Sequence, residues 1–148
     1  MTIREILKVK GHKVWTIFSD QTVQDALEIL VTHKIGAVIV LDRRGFIVGI
    51  LSEKDIVRGC FFESGDIEKI PVHKLMVRKV IVASADDEIN SIMKSMTENR
   101  IRHIPVVEER RLIGIVSIGD VVKSLLQDSE HQIKYLKEFI YGSPGPDF

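Results

Sequence analysis

A single cysteine, Cys60, stands in the 148 residues, so the chain has no internal disulfide and no cysteine-rich zinc site. Such usage fits a reducing compartment, and the cytoplasm is the expectation. Charge of one sign is missing as well. Twenty-one Lys and Arg face 21 Asp and Glu, which leaves a formal net charge of zero. Broad electrostatic attraction to DNA, RNA or an anionic membrane is therefore not expected, although local basic patches stay open. No apolar run approaches the ~20 residues of a membrane span, and Met1 to Val14 hold no stretch of signal-peptide length. Catalytic signatures are absent too. Gly114 and Gly119 have the spacing of two P-loop glycines, but Asp120-Val121 follows where Lys-Ser/Thr is required. There is no Gly-x-Ser-x-Gly and no His-Glu-x-x-His, and Cys60 has no evident His partner, so an enzyme is not expected. His12, His33, His73 and His131 lack metal-ligand spacing and are expected at the surface, with no metal bound.

What is present is a duplication. Ile35-Gly36-Ala37-Val38-Ile39-Val40 parallels Ile101-Arg102-His103-Ile104-Pro105-Val106 at an offset of 101 − 35 = 66. Gly49 to Val57 parallels Gly114 to Val122 at an offset of 114 − 49 = 65, so one residue is missing from the second intervening turn. Val14 matches Val80, and Ile3 to Leu7 resembles Val72 to Met76 once a short gap is allowed. Two blocks in one order and nearly one phase mark a repeat.

Each copy reads as strand, helix, strand, strand, helix. In the first, Val14–Phe18 is β-rich, and Thr22 with Asp25 forms a capping box for a helix from Val23 to about His33. Its apolar positions Val23, Ala26, Leu27, Leu30 and Val31 follow helical spacing. Ala37–Leu41 is unbroken apolar sequence, Asp42-Arg43-Arg44-Gly45 a turn, Phe46–Leu51 a strand, and a short helix starts near Lys54. The second copy runs Val80–Ala83, Glu88–Glu98, Ile104–Val107, Leu112–Val116 and Gly119–Leu126. Asp86-Asp87-Glu88 suits the positive end of a helix dipole. The expected divisions are residues 2–58, a linker 59–71 with Phe61 and Phe62 packed back on the pair, residues 72–127, and a tail 128–148. In that tail Ser129–Tyr141 is a further helix with Ile133, Leu136 and Ile140 on one stripe, and Gly142-Ser143-Pro144-Gly145-Pro146 stops it. The fold class is α+β, two βαββα units packed sheet to sheet. Either unit alone, at about 60 residues, would bury only ~60% of its surface.

The repeated Gly-x-x-Ser-x-x-Asp carries the chemistry. It puts a Ser at a strand-to-helix turn and an Asp in the helix's first turn. Free N–H groups there suit phosphate, and an ionised carboxylate suits the two hydroxyls of a ribose. The same signature also serves as a plain helix cap, and duplication copies caps as well as sites.

With those residues in place, the chain resembles a tandem CBS-domain protein, or Bateman module, over about residues 2–127, and specifically the short stand-alone pairs. The resemblance is carried by Asn99-Arg100-Ile101-Arg102-His103-Ile104-Pro105-Val106 and by the paired Ser-x-x-Asp. It implies a sensor that binds AMP, ADP, ATP, NAD or S-adenosylmethionine in clefts between the repeats, in a homodimer of two pairs. One implied site holds Ser117, Asp120 and Ile115 facing Trp15, Gly36 and Ala37, with Arg102 on phosphate. The other holds Ser52, Asp55 and Ile50 facing Val80, Ile81, His103 and Pro105, and borrows Arg102 or His103 because Gly36 supplies no cation. On that ground the Asp120 cleft is expected to bind more tightly. A lone Trp in a β-run, as Trp15 is, is more often core, and Arg102-His103 also reads as a solvated edge. A pure interaction or dimerisation module with vestigial clefts is the alternative, and a target such as a redox enzyme rests on analogy alone.

Overall fold

The structure, a computed structural model, describes residues 1–63 and 65–141, without the side chains of residues 135 and 139–141. The fold is α+β, in two halves, each with its own small sheet and apolar core.

In the first half, β1 (Thr16–Phe18) runs parallel to β2 (Ala37–Leu41), which pairs antiparallel with β3 (Ile47–Ser52). The central strand β2 is buried from Ala37 to Val40, as its unbroken apolar run requires. Between β1 and β2 lies α2 (Val23–His33). Its capping box forms as expected, with the Asp25 N–H on Thr22 Oγ1 at 3.2 Å and the Thr22 N–H on Asp25 Oδ2 at 3.0 Å. Val23, Ala26 and Leu30 turn inward, whereas Val31, expected on the same stripe, is exposed. The turn at Asp42 is closed by its own carboxylate, which accepts from the N–H groups of Arg44 and Phe46, and Gly45 takes φ 88°. After β3, α3 (Glu53–Phe62) continues through the first residues of the expected linker. Phe61 and Phe62 do not pack back on the pair; they are 83% and 80% exposed.

The second half repeats this with α5 (Ile89–Asn99), β4 (His103–Glu108) and β5 (Arg111–Ser117). Four residues, 108–111, separate the Val107–Leu112 pair, against five, 42–46, between Leu41 and Ile47. The missing residue is absorbed by a tight turn in which Glu109 and Arg110 adopt φ 50° and 64°. Val80–Ala83, expected as a strand, is not one: only Ala83 pairs, with Val106. The reason is chemical. In the first half the Ile39 N–H bonds to the Trp15 carbonyl at 3.3 Å. Residues 66 further on are Pro105 and Ile81, and proline has no N–H to offer. Two separate helices were expected after β5. They form one continuous α6 (Ile118–Tyr141), on which Ile133 and Leu136 are exposed. The Ile140 side chain and residues 142–148 lie outside the described residues.

Two helices absent from the sequence reading lock the halves together by crossing over. The helix α1 (Ile3–Lys10) buries Ile3, Ile6 and Leu7, at helical spacing, in the core of the second half. Backbone bonds fix it there: Ile3 N–H to Asp87 O at 3.0 Å and Arg4 N–H to Ala85 O at 2.8 Å. Reciprocally, α4 (Val72–Leu75) and Met76 enter the core of the first half, with the Val72 N–H on Gln21 O at 2.7 Å. Each half is thus completed by the other's leading segment.

Candidate functional site

A cleft of about 820 Å³ opens between the halves. One wall comes from the end of β3 and the start of α3, the other from residues 79–81 and the start of β4. The Ser52–Asp55 box holds the first wall. The Ser52 N–H and Oγ donate to Asp55 Oδ2 at 2.9 and 2.8 Å, and the Asp55 N–H returns a bond to Ser52 Oγ at 3.3 Å. The pair therefore caps α3, yet it also lines the cleft, with Asp55 Oδ1 unbonded among the described residues. Ile50, Val80, Ile81 and Pro105 add apolar surface. Lys54, Lys79, Arg100 and Arg102 bring four cations against the carboxylates of Glu53 and Asp55.

His103 lines the same cleft, and its ring lies over Gly36: a Cβ built at Gly36 would meet His103 Cε1 at 3.2 Å. Burial lowers the His103 pKa from its ordinary value, and Lys10 and Arg102 push it down further against the pull of Asp120 and Glu53. The imidazole is accordingly neutral near pH 7.

Every residue of the expected Asp55 set lines this one cleft, namely Ile50, Ser52, Asp55, Val80, Ile81, His103 and Pro105. Of the Asp120 set, only Gly36 and Arg102 do so. Asp120 is engaged elsewhere. Its Oδ2 accepts from Lys10 Nζ at 2.6 Å and from the Ser117 N–H at 2.8 Å, and Lys10 also reaches the Ile115 carbonyl at 2.7 Å. Burial would raise the Asp120 pKa, but Lys10 and the Ser117 bonds outweigh it and hold the carboxyl below its usual value. Trp15 stacks on His33, ring centroids 3.4 Å apart, with Lys13 Nζ 4.4 Å from its ring centre. Ala37 is buried. Lys10, which no motif marks, was not among the expected site residues. Lys54, Lys79 and Arg100 were missed too: Lys54 sits inside the Ser-x-x-Asp itself, and the other two are placed by the fold.

The family model of the CBS domain matches residues 2–60 and 72–127, two copies covering most of the chain. The chain belongs to the CBS-domain family. This CBS-domain pair is 31% identical to a mitochondrial CBS domain-containing protein of Arabidopsis thaliana, CBSX3, over 95% of this chain and 72% of that one. A CBS-domain containing protein from Agrobacterium tumefaciens superposes with a TM-score of 0.81 at 36% identity, covering 84% of this chain and 99% of that structure. The CBS domain pair of protein MJ0100, solved with 5-methylthioadenosine and S-adenosyl-L-methionine, gives 0.76 at 26% identity over 86% and 98%. No helix among the described residues is long and apolar enough to cross a membrane.

Proposed function

We propose that the chain is a regulatory sensor, not an enzyme, and that the Asp55 cleft binds an adenosine phosphate. One observation carries the reading: Asp55, with a free carboxylate oxygen, opens onto a cleft that joins apolar walls to four cations. In this arrangement Asp55 accepts from the ribose hydroxyls. The purine lies among Ile50, Val80, Ile81 and Pro105. Phosphate meets Lys54 and the N-terminus of α3 on one side and Arg100 and Arg102 on the other. The adenosyl ligands of the MJ0100 pair support the class of ligand. The excess of cations favours AMP, ADP, ATP or NAD over the positively charged sulfonium of S-adenosylmethionine.

Signalling follows from the crossed architecture. A ligand held by α3 on one wall and β4 on the other stabilises one spacing of the halves, and so shifts the population toward it. The readout surface is a homodimer face. Val57, Phe61 and Phe62 on α3 and Val122 and Leu126 on α6 are exposed apolar side chains that suit a second copy, here in a reducing compartment such as the cytoplasm.

Calorimetric titration of the whole protein with AMP, ATP, NAD and S-adenosylmethionine, beside thermal melts, tests this. A saturable isotherm and a rise in melting temperature with the phosphate ligands are expected. No response to any of the four at millimolar concentration overturns the sensor and leaves the interaction module with vestigial clefts.

A further inference from the structure

The two halves differ by an insertion whose consequence falls on the Asp120 cleft. Leu7 and Met76 are equivalent, for each is buried against a glycine of the opposite half, Gly114 and Gly49 respectively. Their offset is 76 − 7 = 69, whereas Val14 and Val80 differ by 80 − 14 = 66, so the first half carries 69 − 66 = 3 extra residues in between. The extra chain lengthens a helix. Whereas α4 ends at Leu75, α1 runs to Lys10, where Gly11 at φ 99° closes it by bonding back to the Leu7 carbonyl at 2.7 Å.

That added turn delivers an ammonium group to the strand-to-helix junction of the second half. Lys10 Nζ bridges Ile115 O on β5 and Asp120 Oδ2 in the first turn of α6. In the first half the corresponding strand edge is covered by backbone: Val77 and Ile50 exchange bonds of 3.0 and 2.9 Å. Among the described residues no cation pairs with Asp55.

We propose that Lys10 is an internal occupant of the Asp120 cleft, so that the Asp55 cleft is open to an adenosine phosphate while the Asp120 cleft accepts one only when Lys10 is displaced. The proposal rests on the reading of the clefts given above. Displacement needs no unfolding, because a lysine ammonium sits on a flexible four-carbon stem. It does exchange an ion pair for a hydrogen bond from a neutral ribose hydroxyl, which lowers affinity. In population terms, the apparent affinity is the intrinsic one multiplied by the fraction of molecules in which Lys10 has swung away. The insertion thereby makes a duplicated pair functionally single-sited at low ligand concentration.

Calorimetry with ATP on the full chain reads this directly. Wild type is expected to bind one equivalent, and Lys10→Met two, or to bind the second at least about tenfold more tightly than wild type does. Lys10→Arg keeps a cation for Asp120 and retains one. Asp55→Ala is expected to bind its first equivalent about 10–100-fold more weakly than wild type, and Asp55→Ala with Lys10→Met to regain one tight equivalent. Two equal equivalents in wild type, or one in a Lys10→Met protein whose melt shows it folded, overturn the proposal. If Lys10→Met does not fold, Lys10→Gln, which keeps a donor for Ile115, is read by the same criteria. Should wild type bind one equivalent that Asp55→Ala weakens at least about tenfold while loss of the Lys10 charge adds none, only the Lys10 proposal fails. Absence of binding in every variant overturns both readings.

Discussion

The imidazole of His103 lies across Gly36, close enough that any Cβ there would press on its Cε1 at 3.2 Å and its Nε2 at 3.3 Å. Gly36 precedes β2 of the first half and His103 opens β4 of the second, so the contact joins the two repeats at the cleft itself. Glycine here permits close approach of the ring; backbone freedom is not at issue. Gly36→Val should therefore displace the ring into the cleft and weaken ATP binding at least about tenfold, a loss of ~1.4 kcal/mol. Calorimetry checks the affinity, and an unchanged circular dichroism spectrum checks that the fold persists.

Asp55 and Asp120 occupy equivalent places in the two repeats but not equivalent surroundings. Asp55→Ala removes the carboxylate that faces the open cleft and should cost about 10–100-fold in ATP affinity, the scale of one or two charge-assisted bonds at ~1.5–3 kcal/mol. Asp120→Ala should change affinity for the first equivalent by less than about threefold. Equal losses in the two variants would refute the inequivalence.

His103 gives stability a dependence on pH whose sign follows from its depressed pKa. The unfolded chain takes up the proton near the ordinary value of 6.5, whereas the folded one resists until lower pH. The contribution is thus fully present above the ordinary value and is lost as pH falls from there toward the folded pKa. Melting temperatures of wild type and His103→Gln from pH 8 to pH 5 should converge, or the wild type drop below, on the acid side. A constant difference across the range would sink the assignment.

Leu7 carries α1 into the core of the other half, where its Cδ2 would stand 2.7 Å from a Cβ at Gly114. Leu7→Ala should cost ~2–5 kcal/mol through the cavity it leaves. Gly114→Ala should cost ~1–3 kcal/mol through overpacking. The double variant should cost less than the sum, because the added methyl enters the space the leucine vacates. Urea unfolding of the four proteins measures the cycle, and simple additivity would mean that the two residues do not touch.

Much of this was legible in the linear chain. Both Ser-x-x-Asp boxes, the Thr22–Asp25 cap and the Asp42–Gly45 turn are local events between residues a few positions apart, so residue type and spacing suffice to specify them. Ser52 and Asp55 could be named because duplication displays the same motif twice, and the residues facing them only because the chain resembles a CBS-domain pair. Other features were not legible. Ile3 to Leu7 and Val72 to Leu75 are too short to announce a helix, and their helicity comes from the core that receives them. The apolar run Val80–Ala83 looks like a strand, but the donor it lacks belongs to Pro105, some 25 residues away. Phe61 and Phe62 carry no mark that distinguishes a buried aromatic from an exposed one.

Sequence alone therefore determined the duplication, the caps that start its helices, and the two carboxylates stationed at strand-to-helix junctions, because periodicity and capping act within a few residues. Only the tertiary structure decided which half each leading helix completes, which carboxylate is paired with a lysine, and where four scattered cations converge. Those outcomes depend on contacts between residues as distant in the chain as Lys10 and Asp120, and a flexible ammonium settles on whichever acceptors the packed halves bring within its reach.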